Sequence, residues 1–118
     1  MNAEMKKKLA KNWFKILQDM ICRGIEELEG GKKFIVTEWK RNKKNEGGGE
    51  YRVLKEGKIF EKVGVNFSEV YGKFSKEFRN KIPGTNLNPS FWASGISIVM
   101  HTKNPHVPAM HFNTRYIY

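Results

Sequence analysis

The last third of the chain constrains the fold most, because two strand-like runs are separated by a segment that cannot itself be a central strand. Residues 91–101 form an apolar run of strand length, and residues 111–118 are again rich in strand-forming side chains. Between them, residues 102–110 contain Pro105 and Pro108, and proline lacks the N–H that a central strand must donate. This arrangement predicts that the chain reverses and that the two strands pair antiparallel.

Side-chain parity in these two strands collects polar groups on one face. Residues two apart in a strand point to the same side of the sheet. The polar side chains that share a face by this rule are Ser97, His101, His111, Asn113 and Arg115. An arginine fork beside an amide suits a carboxylate, and a histidine that titrates near neutral pH can move protons. The strand pair therefore predicts a pocket for an anionic ligand that carries ring nitrogens.

Several of these features also have a purely structural interpretation. A strand histidine is more often hydrogen-bonded than catalytic, and His101 and His111 lack a third ligand at a spacing typical of metal sites. Cys22, with no second thiol in the chain, is predicted to be a small buried hydrophobe rather than a nucleophile. The glycines at 47–49 do not form a phosphate-binding loop, because no Lys and Ser or Thr follow at the required positions; they predict a flexible lid or turn.

The remaining segments predict one helix and further strands around this pair. The three-and-four spacing of apolar residues indicates an amphipathic helix over residues 7–29, ended by Gly30 and Gly31. Its apolar residues are Leu9, Trp13, Ile16, Leu17, Met20, Ile21, Ile25 and Leu28. The other predicted elements are a strand at 34–40, a mobile loop at 41–50, a hairpin of 51–54 with 58–67, a short helix at 68–81 and an irregular connection containing Pro83 and Pro89. Residues 1–118 are thus expected to form a single α+β domain.

Charge narrows the choice of partners. Twenty-two Lys and Arg against twelve Asp and Glu give a net charge of +10, which favours an anionic partner or substrate. Nucleic acid, a membrane surface and a small polycarboxylate all qualify, as does a lysine excess that only keeps a small protein in solution. A single cysteine, with no apolar segment of signal-peptide or membrane-spanning length, indicates a reduced cytoplasmic setting and no membrane span.

Two long motifs carry a family resemblance. One is Glu-Lys-Val-Gly-Val-Asn-Phe-Ser at residues 61–68, and the other is the spacing His-x-x-Asn-Pro-x-x-Pro-x-x-His-x-Asn-x-Arg at residues 101–115. The helix around 17–22, the strand of Trp39 and the glycines at 47–49 agree with the same family. From Trp13 onward the sequence resembles the oxygen-dependent coproporphyrinogen-III oxidases.

The resemblance implies a function in haem biosynthesis. Members of this family use molecular oxygen to convert two propionates of coproporphyrinogen III to vinyl groups, releasing carbon dioxide and giving protoporphyrinogen IX. The substrate-binding residues that it implies are Ser97, Asn113, Thr114 and Arg115. It also implies that His111 is the catalytic proton donor and that His101 and His111 are the ligands where a divalent metal is bound. No organic cofactor is implied, and the four carboxylates of the substrate suit a basic protein.

Length separates this chain from the family that it resembles. Members are more than twice as long, so the resemblance implies a truncated version of their large, flat, helix-covered antiparallel sheet. The implied partners are coproporphyrinogen III and either a second copy in a homodimer or a missing carboxyl-terminal half. Two alternatives stay open: an inactive remnant that binds a tetrapyrrole or an intact oxidase subunit, and, less favoured, a small basic nucleic-acid-binding protein. Because the last strand would keep a bare aromatic edge, the isolated chain is expected to associate and to lack oxidase activity.

Overall fold

The computed structural model describes residues 2–41, 46–73 and 90–118. It contains helix α1 (Ala3–Leu28) and the strands β1 (Ile35–Lys40), β2 (Gly47–Lys55), β3 (Phe60–Lys73), β4 (Ser90–Thr102) and β5 (Met110–Ile117). Within the described residues the strands form one antiparallel sheet in the order β1-β2-β3-β4-β5, so that each strand pairs with the next along the chain. The predicted α+β architecture, an N-terminal helix with an antiparallel sheet, is confirmed.

Helix α1 begins at a capping asparagine and ends at two glycines. The backbone N–H of Met5 donates to Asn2 Oδ1 at 2.8 Å, which satisfies one of the unpaired donors of the first turn. At the other end, Gly30 and Gly31 have φ angles of 74° and 103°, a conformation that L side chains rarely adopt. The predicted helix end at these glycines is therefore confirmed.

One side of α1 and one side of the sheet form the core. The buried residues of the helix are Phe14, Gln18, Cys22 and Ile25. The apolar ones share a cluster with sheet residues that include Leu54, Val63, Val65, Phe67, Ile96 and Ile98. Gln18 is the polar exception, and its Nε2 donates to the backbone carbonyls of Glu50 at 2.9 Å and Val65 at 3.1 Å. These two bonds satisfy an amide that would otherwise be costly to bury.

Cys22 is a buried hydrophobe, as predicted. Its exposed fraction is 1%. Burial raises the pKa of the thiol to about 11, although the neighbouring guanidinium of Arg52 acts in the opposite direction. The thiol is therefore protonated at neutral pH and is a poor nucleophile.

The outward side of α1 carries a second set of apolar residues. We call this set the outer stripe: Met5, Leu9, Trp13, Ile16 and Met20, each with an exposed fraction between 53% and 60%. The predicted amphipathic helix is present, but several of the apolar residues that indicated it face away from the sheet. Among the described residues, no helix has the length and apolar character that are needed to cross a membrane.

The glycines at 47–49 are the first residues of β2, so the predicted mobile loop or lid is wrong over this run. A Cβ on Gly48 would collide with the carbonyl of Trp39 on β1, and one on Gly49 would collide with the carbonyl of Phe67 on β3. The absence of side chains thus allows β2 to approach both neighbouring strands closely. Residues 42–45 of the predicted loop lie outside the described residues.

The predicted short helix at 68–81 is wrong for residues 68–73, which continue β3. These residues pair with β4, from Ser68 opposite Gly95 to Lys73 opposite Ser90. The apolar spacing that suggested a helix is local, whereas the strand is stabilised by pairing with distant residues. Residues 74–81 and the predicted connection with Pro83 and Pro89 lie outside the described residues.

The predicted hairpin of β2 and β3 is confirmed, and Glu29 ties its turn to the end of α1. The Glu29 carboxylate accepts hydrogen bonds from the backbone N–H groups of Ile59 at 2.8 Å, Phe60 at 2.9 Å and Lys58. Burial alone would raise the pKa of Glu29, but these three donors outweigh it, so the pKa lies below the usual value. Glu29 therefore stays ionised and anchors the turn.

Candidate functional site

The two strands predicted at the end of the chain are present as β4 and β5. In their antiparallel register Ser97 lies opposite Asn113, and Val99 lies opposite His111. His101 is two residues beyond Val99, so its side chain points to the same side as that of His111. The structure thus confirms that the two histidines lie on neighbouring antiparallel strands and share a face.

These side chains lie on the side of the sheet that faces away from α1, which we call the open face. Val65 and Ile98 are paired core residues on the helix side, so the residues next to them in each strand point to the open face. Reading across from β1 to β5, the open face has three central rows: Trp39, Gly49, Ser68, Gly95, Arg115; then Thr37, Tyr51, Asn66, Ser97, Asn113; then Ile35, Val53, Gly64, Val99, His111.

All the residues that parity grouped together lie on this face. Ser97 is half-buried, whereas the remaining four are exposed: His101, His111, Asn113 and Arg115. Thr114 lies opposite Ile96, so its side chain points to the helix side and only its backbone belongs to the open face. The open face therefore brings a hydroxyl, an amide, a guanidinium and two imidazoles to neighbouring positions.

Charge is divided unequally between the two sides of the sheet. Among the described residues, the paired strand positions of the open face hold Arg115, Lys55 and Lys62 and no carboxylate. Glu61 lies at the irregularity of β3 and has no paired position. The paired carboxylates of β1, β2 and β3 point to the helix side: Glu38, Glu50 and Glu69. The open face therefore favours an anionic ligand, because its paired positions offer positive charge and the paired carboxylates lie on the other side of the sheet.

Trp39 and Asn66 belong to the open face, although the sequence did not single them out as site residues. The indole Nε1 of Trp39 donates to Asn66 Oδ1 at 2.9 Å, and Asn66 lies directly opposite Ser97. The alternation of side chains in the motif at 61–68 is the signal that could have found Asn66. It places Asn66 and Gly64 on one face of the strand and Val65 on the other face. No local signal joins Asn66 to Trp39, which is 27 residues away.

Glycines make room for two aromatic rings on the open face. A Cβ on Gly49 would lie 2.7 Å from Cζ2 of Trp39, and a Cβ on Gly64 would lie 2.6 Å from the hydroxyl oxygen of Tyr51. The indole and the phenol therefore lie against the sheet instead of standing on it. This leaves a low, partly aromatic surface beside the polar groups of β4 and β5.

A metal site is not complete in this part of the chain. His101 and His111 supply two imidazoles on one face, but the described residues contain no group of three His, Cys, Asp or Glu side chains that could hold a metal ion. Structural and catalytic metal sites in proteins use at least three protein ligands in most cases. The described residues therefore do not fit a metal by themselves.

A cavity of about 300 Å³ lies on the helix side and is separate from the open face. Its lining includes Lys11, Glu50, Arg52 and Glu69. These charged groups are paired with one another: Lys11 Nζ lies 3.0 Å from a Glu69 carboxylate oxygen, and Arg52 Nε lies 2.6 Å from a Glu50 carboxylate oxygen. The cavity is therefore a structural ion-pair region between α1 and the sheet.

The fold and the open face define an α+β protein in which one face of an antiparallel sheet carries basic and polar side chains at its paired positions. A scan against protein families matches residues 9–118 to the family described as coproporphyrinogen III oxidase. The chain belongs to this family.

Curated relatives show the same similarity at the level of sequence. The chain is 51% identical over 120 residues to the oxygen-dependent coproporphyrinogen-III oxidase of Rickettsia felis, covering 94% of this chain and 42% of that protein. It is 48% identical to the same enzyme of Rickettsia akari, with the same coverage, and 49% identical to that of Rickettsia africae, covering 99% of this chain and 44% of the relative. The chain therefore spans less than half the length of these relatives.

Proposed function

We propose that the chain is the part of an oxygen-dependent coproporphyrinogen-III oxidase that binds the carboxylates of the substrate on its open face. Family membership supports the reaction class. The observation that carries the assignment to this face is its charge: among the described residues, its paired strand positions hold Arg115, Lys55 and Lys62 and no carboxylate. A substrate with four carboxylates matches that surface.

In the proposed reaction, two propionates of coproporphyrinogen III become vinyl groups. Each propionate that reacts loses carbon dioxide, one proton and two electrons, and molecular oxygen is the co-substrate that accepts the electrons. The side chains of this chain contribute binding and proton transfer. No organic cofactor enters the proposal.

The roles of individual residues follow from their places on the open face. Arg115 and Asn113 bind a propionate, Ser97 donates to it from the neighbouring strand, and Thr114 contributes through its backbone. His111, on the same face as Arg115, is the proposed proton donor. His101 and His111 would act as metal ligands only with further ligands from outside the described residues.

The incomplete coverage of the relatives favours a second proposal, binding without turnover. These 118 residues span 42% to 44% of the Rickettsia enzymes, so we propose that the oxidase completes its site with residues beyond them, from a carboxyl-terminal part or from a second copy. Catalytic groups that act as a unit lose most of their rate enhancement when one is missing. We therefore expect the isolated 118-residue chain to bind a coproporphyrin without oxidising coproporphyrinogen III. We also propose that the protein is located in the cytoplasm.

Fluorescence titration of the chain with coproporphyrin III tests the binding proposal. Arg115→Ala should weaken binding by about 1.5 to 3 kcal/mol, the scale of a charge-assisted contact. Arg23→Ala is the matched control, because Arg23 is an exposed residue of α1 that pairs with Asp19 away from the open face. Equal affinity of the Arg115 variant and the wild type would assign Arg115 a structural role.

Two further measurements separate the alternatives. Tight binding to DNA that weakens steeply with salt, together with no binding of coproporphyrin III, would instead favour the nucleic-acid alternative. Conversion of coproporphyrinogen III to protoporphyrinogen IX by a monodisperse monomer under air would show that the isolated chain is sufficient for catalysis.

A further inference from the structure

We infer that Asn66 is a further donor to a carboxylate of the bound tetrapyrrole and that Trp39 is the positioning residue that orients its amide. This inference rests on the proposed function, because it adds a contact to the same binding face. Three observations carry it: the amide has a defined orientation, its donor group has no partner among the described residues, and it lies in a row with Ser97 and Asn113.

The indole of Trp39 determines the orientation of the Asn66 amide. An indole N–H can only donate, so the atom that it meets at 2.9 Å must be the amide oxygen. The amide nitrogen lies on the other side of the group and is therefore turned away from the indole. Trp39 reaches Asn66 from β1, and Ser97 lies directly opposite Asn66 on β4, the neighbouring strand on the other side.

The Asn66 NH2 group is available to a ligand. Asn66 is half-buried, and its amide nitrogen has no hydrogen-bond partner in the part of the chain that the structure describes. A donor in this position has lost part of its hydration, so it gains from an acceptor that a ligand supplies.

Asn66 also completes a row of short polar side chains. Asn66, Ser97 and Asn113 lie opposite one another on β3, β4 and β5. Residues directly opposite in antiparallel strands have Cβ atoms about 5 Å apart, so a carboxylate can meet donors from two strands at once. Arg115 is two residues from Asn113 on the same face and adds the positive charge.

Gly49 is the residue that allows the indole to reach Asn66. Trp39 is on β1 and Asn66 is on β3, so the ring must cross β2. At the crossing, a Cβ on Gly49 would lie 2.7 Å from Cζ2 and 2.8 Å from Cε2 of the indole. A side chain at position 49 would therefore displace the ring from Asn66.

Two substitutions, each with a matched control, test the inference by coproporphyrin III titration. Asn66→Asp keeps the shape and the acceptor for Trp39 but replaces the donor with a negative charge, so affinity should fall about tenfold or more. Asn12→Asp adds the same charge at an exposed position of α1 and should change affinity less than about twofold. Trp39→Phe should weaken binding about threefold by releasing the amide, while Trp13→Phe, in the outer stripe, should have no effect.

The positioning role of Trp39 has its own readout. If Trp39 acts through Asn66, then Trp39→Phe should have no additional effect in an Asn66→Ala background. In a sample with 15N-labelled asparagine side chains, the Asn66 NH2 signal should move on addition of coproporphyrin III and should also move in the Trp39→Phe variant. If circular dichroism shows that Asn66→Asp is unfolded, these NMR signals test whether Asn66 contacts the ligand and whether Trp39 orients it.

The possible results distinguish this inference from the proposed function. If the wild type binds coproporphyrin III and Arg115→Ala weakens binding, but Asn66→Asp and Asn66→Ala bind like the wild type and the Asn66 signal does not move, the inference is overturned and the proposed function stands. If the wild type does not bind coproporphyrin III at all, the proposed function fails and the inference fails with it.

Discussion

The two sides of the sheet differ in what their side chains contact. On the helix side, Val63 and Val65 have exposed fractions of 0% and pack in a cluster with Phe14. On the open face, the neighbouring rows hold glycines, short polar side chains and two aromatic rings that lie against the strands. Carboxylates at the paired strand positions point to the helix side, where Arg52 pairs with Glu50 and Lys11 pairs with Glu69.

Because the two sides of the sheet differ in their contacts, we expect the helix side to determine stability and the open face to determine binding. Residues on the helix side are surrounded by protein, so their removal leaves cavities or unpaired charges. Those on the open face have fewer protein partners, and most of the polar ones are exposed. We therefore expect substitutions on the helix side to change the free energy of unfolding and substitutions on the open face to change ligand affinity.

The largest expected effect contrasts adjacent residues of β4. Ile96 has an exposed fraction of 1% on the helix side, and Ser97 is half-buried on the open face. Ile96→Ala should lower the free energy of unfolding by about 2 to 5 kcal/mol, whereas Ser97→Ala should lower it by less than about 1 kcal/mol. Urea denaturation followed by circular dichroism measures both. Similar losses in the two variants would contradict the division of roles between the faces.

A smaller effect is expected at Glu29, which links the helix side to the turn between β2 and β3. Glu29→Gln should lower the free energy of unfolding at pH 7 by about 1.5 to 3 kcal/mol, because the charge-assisted bonds to three backbone N–H groups weaken. The control variant is Glu27→Gln, because Glu27 is an exposed glutamate two residues before Glu29.

The pH dependence of stability gives a second check on Glu29. Its pKa is lowered in the folded state, so its contribution to stability is fully present above the pKa of an unfolded glutamate and is lost as the pH falls through the lower, folded pKa. Denaturation across this acidic range should therefore show a smaller decline for Glu29→Gln than for the wild type. Parallel declines in the two proteins would show that Glu29 does not anchor the turn in its ionised form.

The smallest expected effect concerns association of the isolated chain. Exposed apolar residues occur in the outer stripe and on β5, where Phe112 has an exposed fraction of 48%. Ile16→Lys or Phe112→Lys should raise the concentration at which half of the chain is associated by about tenfold, since one apolar contact is lost. Thr37→Lys, on the open face, is the control and should leave association unchanged. Sedimentation velocity over a series of protein concentrations measures the degree of association. A wild-type chain that stays monomeric at every concentration would contradict the expectation.

Much of the candidate site was predictable because strand parity is a local property. The alternation in 91–101 and 111–118, with prolines between the two runs, was sufficient to group Ser97, His111 and Arg115. Asn66 was missed because its importance depends on Ser97 lying opposite it, and no pattern within 61–68 specifies a partner strand. The glycines at 47–49 were assigned to a loop because their sequence is typical of one, although close strand contacts favour glycine equally.

By itself, the sequence determined the helix, the hairpin, the strand pair at the end of the chain and the set of side chains that share one face of it. These features depend on the spacing of neighbouring residues and on proline and glycine at the breaks. The tertiary structure decided which side of the sheet α1 covers, which apolar residues of α1 remain exposed, and that Trp39 crosses β2 to reach Asn66. The physical reason is that such contacts join residues far apart along the chain, so their energies depend on packing that no local pattern contains.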